Sequence, residues 1–111
     1  MSHNTRPIHE IKAAFFRVLG HPARVRILEL LRDGERSVGS LQAELGLDSG
    51  GTSQHLAALR RIGLVTPRRE GTSVFYRVED ERTFELLDVA RDILSRQLAN
   101  QQSLLRELEA E

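Results

Sequence analysis

One stretch of this chain gathers hydrogen-bonding and basic side chains in an order suited to contact with a nucleic acid. It runs Leu47-Asp48-Ser49-Gly50-Gly51-Thr52-Ser53-Gln54-His55-Leu56-Ala57-Ala58-Leu59-Arg60-Arg61-Ile62-Gly63-Leu64-Val65. On a helical wheel Thr52, Leu56 and Leu59 fall on one side, while Gly50, Ser53, Gln54, Ala57, Arg60 and Arg61 fall broadly on the other. The outward side, with Ser49 at its head, is small and hydrogen-bonding near its start and basic near its end. Small residues permit close approach to DNA, Ser and Gln can address base edges, and Arg reaches bases or phosphates. A solvated surface helix is the competing reading. Gly50 and Gly51 weigh against it, because each costs a helix interior about 1 kcal/mol relative to Ala. Backbone approach to phosphate would explain the pair, and so would a loose helix start.

Other chemistries find less support. Cysteine is absent, which leaves no disulfide framework, no thiolate metal site and no thiol switch within the chain. An enzyme is the weakest reading: Lys12 is the sole lysine, no phosphate-cradling glycine loop stands beside it, and Ser53 and His55 at i,i+2 on a helix do not face one another. Histidine is the remaining handle for a metal ion. Met1-Ser2-His3 puts an imidazole third from the amine, and that ring with the amine and two deprotonated amides can wrap Ni(II) or Cu(II) in a square plane. Removal of Met1 before the small Ser2 would spoil this arrangement. His9 and Glu10 could add ligands for a divalent ion, although nothing in their spacing requires it. The ordinary alternatives are a tail residue for His3 and a helix-surface residue for His9. His21 reads as a helix-start residue, and His55 as a flank residue near DNA or core.

The elements that must position this stretch are legible from periodicity and caps. Residues 1–7 read as a flexible tail. Pro7 can open a first helix carrying Ile8, Ile11, Phe15, Val18 and Leu19 at helical spacing, which Gly20 ends. His21-Pro22 restarts the chain, and Val25, Ile27, Leu28, Leu30 and Leu31 make a buried helix up to Asp33-Gly34. Ser37 is a natural N-cap for a short helix from Val38 to Leu45, and Gly46 supplies its stop. Asp48 caps the next helix, so Gly46-Leu47-Asp48 joins two helices with helix-turn-helix dimensions across 37–62. From Val65 to Val78 the pattern becomes strand-like, with a turn through Glu70-Gly71-Thr72-Ser73, and predicts a two-stranded hairpin. Arg68 and Arg69 just before its tip and Arg77 on its return strand could reach a phosphate backbone or a minor groove. Exposed strand edges also carry charge for ordinary reasons. From about Glu81 to Glu109 a long helix keeps Phe84, Leu87, Ala90, Arg91, Leu94, Leu98, Gln101, Leu105 and Leu108, mostly at steps of three and four. That stripe needs a partner, and the first helix or a second copy of the last helix would supply a twofold dimer for a near-palindromic site.

With 111 residues the chain is expected to be a single domain, with a modest core of Leu, Ile, Val and Ala. Its formal net charge is zero, yet the charge is segregated. From Ser49 to Val78, Glu70 stands against Arg60, Arg61, Arg68, Arg69 and Arg77, a balance of +4, while Glu79 to Glu111 carries a balance of −5. The basic part coincides with the prospective DNA surface. No apolar run approaches the roughly 18 residues of a membrane span and the polar start is no secretory signal, so a cytoplasmic protein without membrane attachment is expected.

Three motifs together carry a family resemblance. Leu19-Gly20-His21-Pro22-Ala23-Arg24-Val25-Arg26-Ile27-Leu28, then Thr52 to Val65, then Arg68-Arg69-Glu70-Gly71 with Phe75-Tyr76-Arg77-Val78 resemble the arsenic-repressor-like (ArsR/SmtB) family of bacterial transcription regulators, over about Ile8 to Leu98. The resemblance implies a homodimeric winged helix that binds operator DNA, commonly answers to a metal ion or other stress signal, and by default represses. The metal sites of metal-sensing relatives do not carry over. One uses thiolates on the helix that here reads Ser37-Val38-Gly39-Ser40-Leu41, without Cys. Another uses carboxylate and His ligands on the last helix, where this chain has Asp88 and Asp92 but no His beyond His55.

The expected architecture is therefore mainly α with a small β-hairpin, a winged helix-turn-helix dimerising through its first and last helices. The expected function is sequence-specific regulation of transcription on double-stranded DNA. Ser49, Gly50, Ser53, Gln54 and His55 would contact bases or nearby phosphates, and Arg60, Arg61, Arg68, Arg69 and Arg77 would supply the salt-dependent attraction. Metal responsiveness, if present, would fall to His3 and His9. A protein-interaction module is the alternative, in which the long helix recruits a co-regulator and the winged part binds DNA weakly.

Overall fold

The structure, a computed structural model, describes residues 6–110. Helix α1 (Ile8–Leu19) is followed by α2 (Pro22–Leu30), a short 3-10 turn (Leu31–Asp33) and strand β1 (Arg36–Ser37). Helices α3 (Val38–Leu45) and α4 (Ser49–Arg61), strands β2 (Val65–Glu70) and β3 (Ser73–Val78), and helix α5 (Arg82–Ala110) complete the order. The internal contacts of the chain fall into two compact units, a winged-helix unit up to Asp80 and a helical unit from Glu81.

Local chemistry sets the helix boundaries. Pro7 is the N-cap residue of α1, just outside its first turn. At the start of α2, His21 is extended, its Nδ1 accepts the Ala23 N–H at 3.1 Å, and Pro22 fills the first helical position, where a missing N–H costs nothing. Ser37 caps α3 by accepting the Ser40 N–H at 3.0 Å. Gly46 ends α3 in the left-handed conformation (φ 66°), and its N–H donates to the Gln42 carbonyl at 3.0 Å.

The core of the first unit lies where α2, α3 and α4 meet. Ile27, Leu28, Leu41, Leu56, Leu59 and Thr52 are its largest fully buried side chains, and Leu64 and Val65 close it at the entry to the sheet. Burial of each large aliphatic side chain stabilises the unit by about 2 kcal/mol. Thr52 is tolerated there because its Oγ1 donates to the Asp48 carbonyl at 3.0 Å.

The predicted hairpin is present as β2 and β3, and the structure adds a third antiparallel strand that the sequence reading did not include, in the order β1-β3-β2. Strand β1 pairs Arg36 with Tyr76 and Ser37 with Phe75, and β2 pairs Arg68 with that same Phe75. A two-residue strand cannot display the alternation that marks strands in sequence, and here it runs directly into the cap of α3.

In α1 only Leu19 is buried, while Ile8, Ile11 and Phe16 are exposed. In α5 Thr83 is buried, and every described residue from Val89 onward is exposed, including Ile93, Leu94, Leu98, Leu104, Leu105 and Leu108.

Candidate nucleic-acid interface

Helix α4 is anchored on one side and bare on the other. Thr52, Leu56, Ala58 and Leu59 are buried, whereas Ser49, Gly50, Ser53, Gln54, Arg60 and Arg61 are exposed. Its start is fixed by Asp48, whose carboxylate accepts the Gly51 N–H at 2.7 Å. The cap also separates the two glycines. A Cβ at Gly51 would lie 3.1 Å from Asp48 Oδ1, closer than a comfortable contact, so the cap favours glycine there. At Gly50 the nearest atom is Asp48 Oδ1 at 3.7 Å, an ordinary separation, and the residue is exposed beside Ser49 and Ser53.

His55 stands apart from this exposed group. It is half-buried, its ring lies 4.3 Å from that of His21, and its Nδ1 accepts from Arg24 Nε at 3.2 Å. Arg24 Nη1 also donates to the Val18 carbonyl at 3.2 Å, so one guanidinium links the end of α1, α2 and α4. Since Arg keeps its proton, Nδ1 of His55 must be a bare acceptor and the ring neutral. Burial, then the neighbouring His21 and Arg24, hold the His55 pKa below its usual value. This ring fastens the helix to the body of the unit, with Ser53 and Gln54 left outward.

The wing arginines divide into committed and uncommitted charges. Arg68 Nε lies 3.2 Å from both carboxylate oxygens of Glu35, Nη2 also donates to Glu35, and Nη1 donates to Glu70 at 2.8 Å. Its guanidinium lies 4.8 Å from the Phe75 ring centroid. The hydrogen bond from Arg68, with the charges of Arg68 and Arg77, holds the Glu35 carboxyl below the usual carboxylate range, and the two carboxylates raise the pKa of Arg68. Arg77 lies 3.5 Å from Glu79, which also accepts from Thr66 Oγ1. Among the described residues Arg60, Arg61 and Arg69 have no carboxylate partner within ion-pair distance, and all three are exposed. Counting Glu35 and Glu79 with the wing lowers the local balance of +4 to +2. Sequence reading missed Glu35, which lies 33 positions from Arg68.

The donor set does not fit the metal sites of metal-sensing relatives. Residues 37–41 of β1 and α3 hold no thiolate, and α5 offers Asp88 and Asp92 without imidazole. Among the described residues no three His, Cys, Asp or Glu side chains converge on a point that could hold a metal ion. His9 is exposed in the first turn of α1, and His3 lies outside the described residues. No described helix is long and apolar enough to cross a membrane.

A capped recognition helix, a short turn before it and a basic hairpin after it define a winged helix-turn-helix. Residues 21–66 match the family model described as bacterial regulatory protein, arsR family. The chain is 45% identical over 107 residues to an HTH-type transcriptional regulator of Mycobacterium tuberculosis, Rv0081, covering 96% of this chain and 94% of that one. The chain belongs to the arsR family. Another relative in curated collections, the biofilm growth-associated repressor of Agrobacterium fabrum, is 38% identical over 76 residues, 68% of this chain and 65% of that one. Among solved arsR-like folds, the crystal structure of Rv0081 superposes with a TM-score of 0.81 at 46% identity, covering 87% of this chain and 98% of that one. The homodimeric winged helix-turn-helix DNA-binding domain Mb0332 of Mycobacterium bovis superposes with a TM-score of 0.72 at 30% identity, covering 90% and 95%.

Proposed function

We propose that this arsR-family regulator acts as a homodimeric repressor, placing α4 in the major groove of a near-palindromic operator and the wing along the adjacent backbone. The observation that carries the reading is the outward face of α4. Ser53 and Gln54 stand exposed, with hydrogen-bonding capacity for base edges, on a helix whose other face is locked into the core. Arg60, Arg61 and Arg69 supply the uncommitted charge for phosphates. Pairing through α1 and α5 is supported by their exposed apolar residues and by the homodimeric relative from M. bovis. Repression is supported by the A. fabrum relative. The test is fluorescence anisotropy of a labelled duplex from upstream of the protein's own gene against a scrambled duplex over a range of salt, with sedimentation to fix the stoichiometry. Tight, salt-sensitive, sequence-preferring binding by two chains per site is expected; weak binding indifferent to sequence would contradict it.

The reading extends to Ni(II) or another divalent ion as effector only through His3 and His9. Adding Ni(II) to the chelator-treated complex tests this, and unchanged affinity would remove it. The exposed leucines of the distal half of α5 favour a second reading, in which that helix recruits a protein co-regulator and DNA is bound firmly only in its company.

A further inference from the structure

Glu35 and Arg68 approach each other across a strand that belongs to neither. Glu35 sits one residue ahead of β1, Arg68 is on β2, and β3 runs between them. Two strand spacings, about 10 Å, separate the outer backbones. Ser37, Phe75 and Arg68 share one rung across the three strands, and Glu35 lies two residues before Ser37, so the Arg68 side chain reaches it along the diagonal. Arg68 lies over the Phe75 ring and turns its Nε and Nη2 to Glu35. This contact matters because the outer end of the wing lies beyond the packed base of the sheet, where Leu64 and Val65 are buried. Strand β1 contributes only two residues of pairing, and Arg68, Arg69 and Glu70 at the outer end of β2 are exposed. The rest of β1 is tied inward, with Arg36 donating to the Leu30 carbonyl at 3.1 Å and to Ser40 Oγ at 3.2 Å.

We infer that Glu35 is a positioning residue for DNA binding: through Arg68 and Phe75 it fixes the angle of the wing against the helix-turn-helix, and Arg69, not Arg68, meets the phosphate. The inference rests on the DNA-binding reading above and adds to it the role of an acidic residue. Simple electrostatics makes the opposite forecast for Glu35. A carboxylate beside a phosphate backbone repels it, so its removal should tighten binding. A fork engaged by two carboxylates and an aromatic face holds one geometry far better than a lone exposed pair, so its loss should loosen the wing.

The experiment uses the full-length protein and a duplex that the wild-type chain itself enriches from a random pool, with affinity measured across a salt series. Glu35→Gln and Arg68→Gln are each expected to weaken binding about three- to tenfold, the double variant no more than either alone, with the salt slope unchanged. Arg69→Gln should instead flatten the slope by about 0.9. Tighter binding by Glu35→Gln, or a flatter slope in Arg68→Gln, would overturn the inference and leave the DNA reading intact. Failure of the wild-type chain to enrich any duplex would overturn both. Thermal unfolding of each variant, expected to match wild type, separates wing placement from loss of fold.

Discussion

The recognition helix and the wing present basic and polar groups to the same prospective ligand, but they hold them in different ways. Helix α4 is fixed from behind by Leu56 and Leu59, at its start by Asp48 and at its flank by His55. Its outward side chains therefore ride on a rigid element while staying free themselves. The outer end of the wing is exposed, and two of its three arginines are already paired with carboxylates. Base readout requires donors held in register with the base pairs, whereas backbone contact tolerates more freedom. The difference suits a helix that discriminates and a wing that grips.

The largest expected effect comes from breaking the support of the helix. Leu56→Ala removes a fully buried side chain from the junction of α2, α3 and α4, and should cost about 2–5 kcal/mol of unfolding free energy, read from a urea titration. Shortening Arg69, on the exposed wing, should leave that titration unmoved, and an equal loss would erase the contrast between the regions. A smaller effect is expected at the helix start. Asp48→Ala should cost about 1 kcal/mol through loss of the cap, and thermal unfolding would detect it.

The flank at His55 gives the comparison a dependence on pH. Burial, then the neighbouring His21 and Arg24, favour the neutral ring, so its folded pKa lies below the unfolded value of 6.5. The stabilising contribution is present above that value and is lost as pH falls through the folded pKa. Unfolding measured at about pH 7.5 and about pH 5.5 should therefore show a smaller drop in His55→Gln than in wild type. An undiminished drop would mean that His55 is not the group that titrates. The smallest effect concerns the glycines. Gly51→Ala presses a methyl group toward Asp48 and should lower stability, whereas Gly50→Ala should raise it slightly, by up to about 1 kcal/mol, because alanine is the better helix former. Weakened DNA binding by Gly50→Ala at undiminished stability would reveal close backbone approach there.

Much of this arrangement is written in local sequence. The caps at Ser37 and Asp48 and the left-handed stop at Gly46 are single-residue signals, each acting within a few positions, and the structure uses all three. The buried side of α4 is equally legible because Thr52, Leu56 and Leu59 recur at helical spacing. Nonlocal features are not legible in that way. Strand β1 is too short to carry a period, and it becomes a strand only because β3 lies beside it. Glu35 gives no local sign of its tie to Arg68, which the three-stranded sheet alone brings about. His55 lies on the border between the inner and outer sides of its helix, and its direction is decided by Arg24 and His21, more than 30 positions away.

The division between reading and gripping is tested most directly by comparing Gln54→Ala with Arg69→Gln on the preferred duplex and on a scrambled one. If α4 reads and the wing grips, Gln54→Ala should lower the preference by about 1–3 kcal/mol and leave scrambled binding nearly unchanged. Arg69→Gln should weaken both duplexes alike and flatten the salt dependence. Equal loss of preference in the two variants would contradict the division.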